Sequence, residues 1–96
     1  MKLMVCIMNN YYVNFVEKQL RREGFRMTEL SSSGGFLKKG NTTFLFGVEE
    51  KDVAQLQQAL KEACLQLEKV KGRRRGTESR YTSFVIDAAH AAPFMT

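Results

Sequence analysis

The chain has 96 residues, a formal net charge of +5 and an apolar fraction of 44%. That length suits one domain that buries roughly 60–70% of its unfolded surface, and so small a core commonly gains stability by oligomerising. The composition excludes a disordered chain, and no apolar run approaches the ~20 residues of a membrane span.

Lys2–Met8 is almost continuously apolar, which predicts a strand buried on both faces and not a signal peptide, since no cleavage-like region follows. Asn9 and Asn10 can cap the next helix by accepting from its free N–H groups. Val13, Val16 and Leu20 recur there at helical spacing. Gly24 ends that helix, because glycine enters the left-handed cap conformation without a steric cost. Phe25–Leu30 is a short second strand, and Thr42–Val48, rich in β-branched and aromatic residues, a third. Val53, Leu56, Leu60, Ala63 and Leu67 form an apolar stripe along a second helix, whose acidic opening EEKD suits the positive end of its macrodipole. Tyr81–Ala88 is the fourth strand. Residues 89–96 form a tail in which Pro93 argues against a long regular element.

The order β-α-β-β-α-β predicts an α+β, ferredoxin-like fold, a four-stranded antiparallel sheet with both helices on one face. The other face should present apolar side chains and so predicts association with further subunits. Residues 1–96 read as one domain, with a ligand loop at 31–41 and a short basic loop at 69–80.

The segment SSSGGFLKKGNTTFLFGV, Ser31–Val48, has the glycine spacing of a phosphate-binding loop, but Asn41 and Thr42 stand where that pattern needs Lys and then Ser or Thr. Topology decides against it. A P-loop joins a strand to a helix whose N-terminus faces the phosphates, whereas this loop joins two strands of a hairpin. A plain turn fits no better. Pairing Arg26–Leu30 with Thr42–Phe46 leaves about eleven residues between strands, where hairpin loops run about 2–5. Phe36 and Leu37 beside glycines, followed by Lys38 and Lys39, suit stacking on a base near a phosphate.

Lys69, Lys71, Arg73, Arg74, Arg75 and Arg80 form a basic run that favours anionic partners, with a solvated loop as the alternative. No aromatic is interleaved with Arg73–Arg75, which argues against nucleic acid. Cys6 and Cys64 lie inside apolar patterns, as buried thiols of a reducing cytoplasm. Together with His90 they make no metal site. No nucleophile–base pairing is visible, so no enzyme is expected. Asp87 reads as an edge or interface residue.

FRMTELSSSGGFLKKGNTTFLFGVE, Phe25–Glu49, closely resembles the signature of the cyclic di-AMP receptor family related to PII signalling proteins. Family members show F-R-x-T-x-L, then [T/S]-G-G-F-L-x-x-G-N-T-T-F, then G-V, in this register. The opening MKL and the late FVI strand also fit, so the resemblance covers residues 1 to about 67 and 81–87. It implies a non-enzymatic, cytoplasmic, bacterial signalling protein, a homotrimer that needs no cofactor and acts on a downstream protein. Cyclic di-AMP would lie in three clefts between neighbouring subunits. The resemblance turns Arg26 and Thr28 toward the ligand and puts Phe36 and Leu37 on the base pocket. Gly35 and Gly40 would let the backbone approach, Asn41 would hydrogen-bond to the nucleotide, and Gly47 and Phe84 match the cleft floor. The residue types agree, since a guanidinium suits a phosphodiester and an aromatic face suits stacking.

Three departures stand out. The family's long Gly- and Pro-rich segment before the last strand is here the short KGRRRGTESR. Gly24 replaces a frequent Asn, and in the tail only Phe94 matches an aromatic. Arg73, Arg74 and Arg75 are therefore candidate phosphate contacts, or signs of another anion such as ATP. A PII-like trimer sensing ATP, ADP or AMP, or a protein-interaction module, is the alternative reading.

Overall fold

The computed structural model describes residues 1–30, 40–72 and 80–87. The expectations for Gly35, Phe36, Leu37, Arg73, Arg74, Arg75 and the tail lie outside the described residues. Along the chain run β1 (Lys2–Asn9), α1 (Asn10–Arg22), β2 (Met27–Leu30) and β3 (Asn41–Val48). A 3-10 turn (Glu50–Asp52), α2 (Val53–Lys71) and β4 (Tyr81–Asp87) follow. The sheet order is β2-β3-β1-β4 with every neighbour antiparallel, the expected ferredoxin-like arrangement.

Alternation along the strands separates two faces. Met4, Cys6 and Met8 of β1, Phe44, Phe46 and Val48 of β3, and Met27 of β2 turn into the core against Tyr12, Val13, Val16 and Leu20 of α1 and Leu56, Leu60 and Cys64 of α2. Among the described residues, no helix lies on the opposite face. Cross-strand register sets Thr28, Leu45, Val5 and Phe84 in one row across it, and Leu30, Thr43, Ile7 and Thr82 in another. The continuous apolar run of β1 is thus half explained within one chain. Its core side is fully buried, while Val5 and Ile7 on the open side stay half-buried.

Helix α1 closes as Gly24 predicts. Gly24 has φ +94°. Its N–H donates to the Arg21 carbonyl and the Phe25 N–H to the Leu20 carbonyl, both at 3.1 Å, the paired bonds of a Schellman cap. That closure delays β2, which begins at Met27 and not at the expected Phe25, because the Phe25 amide is spent on the helix. Arg26 is consequently left outside the ladder. Arg21, held by Glu17 at 3.0 Å, donates from Nη2 to the Met27 carbonyl at 3.0 Å and so fixes the start of this edge strand. At the far edge Lys2 Nζ donates to Asp87 Oδ1, and this contact raises the lysine pKa. Asp87 is the edge residue the sequence suggests.

Both thiols are inaccessible, and burial pushes Cys6 up to about 12 and Cys64 to about 11 from an ordinary 9.0. Burial, then the hydrogen bond to Glu68, takes Tyr12 to about 12. Each group holds its proton more tightly folded than unfolded. Its stabilisation is therefore complete below the ordinary pKa and is lost as pH rises through the folded value. The melting temperature should hold level to about pH 9 and fall between about 9 and 12 in a scanning fluorimetry series. A fall that begins near neutral pH would contradict buried thiols.

Candidate functional site

An open cavity of about 530 Å³ lies between the α1–β2 connection and the end of β3. Glu23, Gly24, Phe25 and Arg26 line one side, and Gly47, Val48, Glu49, Asp52 and Gln55 the other. Two of the motif residues, 21 positions apart in sequence, therefore share one hollow. Gly47 is exposed, and nothing stands within 4 Å of where a Cβ would be, so the β3 backbone can be approached closely there. Arg26 is the cationic side chain of this lining, against three carboxylates. A phosphate seated here is attracted by Arg26 and by the Met1 ammonium, and repelled by Glu23, Glu49 and Asp52.

The other end of β3 carries Gly40 and Asn41. Gly40 has φ +90°, a conformation that suits glycine. Its carbonyl accepts from the Asn10 N–H at 2.9 Å. Thr42 Oγ1 donates to Asn10 Oδ1 at 2.6 Å. Asn41, half-buried, pairs with Asn9 in the register. Thr28 and Phe84 are exposed and occupy the two ends of a single row on the open face.

These positions do not meet in one chain. Gly47 and Asn41 are about 20 Å apart along β3, and Thr28 and Phe84 roughly 14 Å apart across three strand spacings. The described ligand candidates are spread over an open sheet face and its two ends.

Sequence reasoning missed a polar cluster at the α1–α2 end of the molecule. Arg80 donates from Nε to Glu68 Oε2 at 2.7 Å and from Nη2 to Oε1 at 3.0 Å, while Tyr12 Oη donates to the same Oε2 at 2.6 Å. Glu68 raises the Arg80 pKa further. The sequence groups Arg80 with the basic run. In the fold its guanidinium is paired with Glu68, which makes it a structural anchor of this end of the molecule. Beside it Tyr11 Oη donates to the Gly72 carbonyl at 2.6 Å, and the Tyr11 and Tyr12 rings meet edge-on at 5.1 Å. The available signal was the tandem NNYY at the helix start, where two large aromatics follow a cap.

A family model described as cyclic-di-AMP receptor matches residues 1–90. The chain belongs to this cyclic-di-AMP receptor family. The match spans β1 to β4 and so includes Arg26, Asn41, Gly47 and Phe84. Among solved structures, this chain is similar to a functionally unknown protein from Pediococcus pentosaceus ATCC 25745. The two are 26% identical over 91% of this chain and 90% of the other, with a TM-score of 0.64. Among the described residues, no helix is long and apolar enough to cross a membrane.

Proposed function

We propose that the protein is a non-enzymatic, PII-like receptor that binds cyclic di-AMP in clefts between the subunits of a homotrimer and passes the signal to a downstream protein. Membership of the cyclic-di-AMP receptor family carries this reading. One observation supports the placement between subunits. Among the described residues, Arg26 and Gly47 share a hollow, while Thr28, Asn41 and Phe84 lie elsewhere on the sheet.

In this reading Arg26 meets a phosphate, while Phe36 and Leu37 pack on a base. Gly35, Gly40 and Gly47 admit the ligand to the backbone. Thr28 and Asn41 bind polar edges, and Phe84 floors the cleft. Arg73, Arg74 and Arg75 supply further phosphate contacts. The arginine run also keeps ATP, ADP and AMP in view as the alternative ligands.

A thermal-shift panel separates these cases, since stabilisation grows with the ratio of ligand to its dissociation constant. Cyclic di-AMP should raise the melting temperature at concentrations where ATP, ADP and AMP do not. Phe36→Ala should lose that shift while sedimentation still reports a trimer. A shift with ATP alone would transfer the site to the mononucleotides.

A further inference from the structure

Arg26 sits where the β2–β3 ladder stops. The ladder begins at Met27, opposite Phe46, and the same register carried one residue further sets Arg26 opposite Gly47. The two residues line one hollow. Arg26 thus lies outside the ladder, yet both of its neighbours are tied to the last turn of α1. The Phe25 N–H donates to the Leu20 carbonyl at 3.1 Å. On the other side the Met27 carbonyl accepts from Arg21 Nη2 at 3.0 Å. Arg21 is itself held, because its Nε donates to Glu17 Oε2, one helical turn earlier, at 3.0 Å.

We propose that Arg21 is a positioning residue for ligand binding: from the end of α1 it orients the segment that presents Arg26 to a phosphate of the ligand. The inference rests on the receptor reading above, which gives Arg26 its phosphate. Three features of the geometry carry it. The Arg21 guanidinium is fixed through two of its nitrogens, one on a carboxylate and one on a backbone carbonyl, which suits its rigid planar fork. The second bond ends on the residue next to Arg26, at the first position of an edge strand, while Arg21 itself is not among the residues that line the hollow. The Arg21 side chain is also half exposed and outside the apolar core. An ion pair so exposed adds little to stability, so the effect of Arg21 should appear in affinity and not in melting.

The test is calorimetric titration of the full chain with cyclic di-AMP. Arg21→Met keeps a long apolar stem and removes the guanidinium, and it should raise the dissociation constant about three- to tenfold. Arg22→Met removes the same charge from the next residue, which is also exposed, and should stay within about twofold of wild type because salt screens such a charge. Both variants should melt within a few degrees of wild type. In an Arg26→Ala background Arg21→Met should add less than about twofold, since a residue that acts through Arg26 then has nothing to position. Wild-type affinity in Arg21→Met overturns the inference and leaves the receptor reading standing. So does an equal loss in Arg22→Met, which would be an effect of net charge. A full loss retained in the Arg26→Ala background overturns it as well, because Arg21 would then act on its own. Should Arg26→Ala bind too weakly to titrate, the comparison with Arg22→Met decides. Should Arg21→Met fail to fold, Arg21→Gln, uncharged and shorter, replaces it in each comparison. A wild-type protein that does not bind cyclic di-AMP overturns both the inference and the receptor reading.

Discussion

Arg26→Ala is expected to raise the cyclic di-AMP dissociation constant by about ten- to a hundredfold while the melting temperature stays within a few degrees of wild type. Hydrogen bonds to charged groups are worth about 1.5–3 kcal/mol, and each 1.4 kcal/mol is a factor of ten. The small stability effect follows from the fold. Arg26 is exposed and precedes the first residue of the β2–β3 ladder, and its guanidinium makes no hydrogen bond or ion pair to a described residue. Arg26→Lys retains the charge but not the planar fork that matches two phosphate oxygens, so it should fall between wild type and alanine. An alanine variant that binds as wild type does would remove Arg26 from the site.

Glu68→Ala should have the opposite profile, a large stability loss from a residue that touches no proposed ligand. The side chain is 13% exposed and accepts from both Arg80 and Tyr12. Its removal strands a half-buried guanidinium and a phenol that has lost its acceptor. A loss of about 2–3 kcal/mol is expected for breaking such a partly buried charged pair. For a domain of this size that lowers the melting temperature by about 8–20 °C. Glu68→Gln keeps an acceptor for Tyr12 and should recover part of the loss. A melting temperature unchanged in Glu68→Ala would mean that Arg80 finds other support and is not an anchor.

The legible and illegible parts of the molecule divide along physical lines. Strand and helix order followed from local signals, namely the apolar run of β1, the stripe Val53–Leu67 and the glycine after α1. Each reports the environment of its own neighbours in the chain. The start of β2 was two residues late, because the Phe25 amide serves the helix cap, a competition that composition does not record. The Glu68–Arg80 and Asn10–Thr42 bonds were illegible for another reason. They join residues 12 and 32 positions apart, beyond any helical or strand period. The motif that carries the family resemblance contains Arg26 and Gly47 without any sign that they share a cavity. It likewise gives no sign that Asn41 stands at the far end of the same strand. Those distances come from the β1–β3 and β2–β3 registers, which a run of residues does not print.

The most direct test of the receptor reading is isothermal titration of the wild-type protein with cyclic di-AMP, followed by the same titration with ATP. One ligand for each subunit, saturable and not displaced by ATP, is the result that three clefts in a homotrimer predict. No heat with cyclic di-AMP at protein concentrations where the trimer is intact would contradict it.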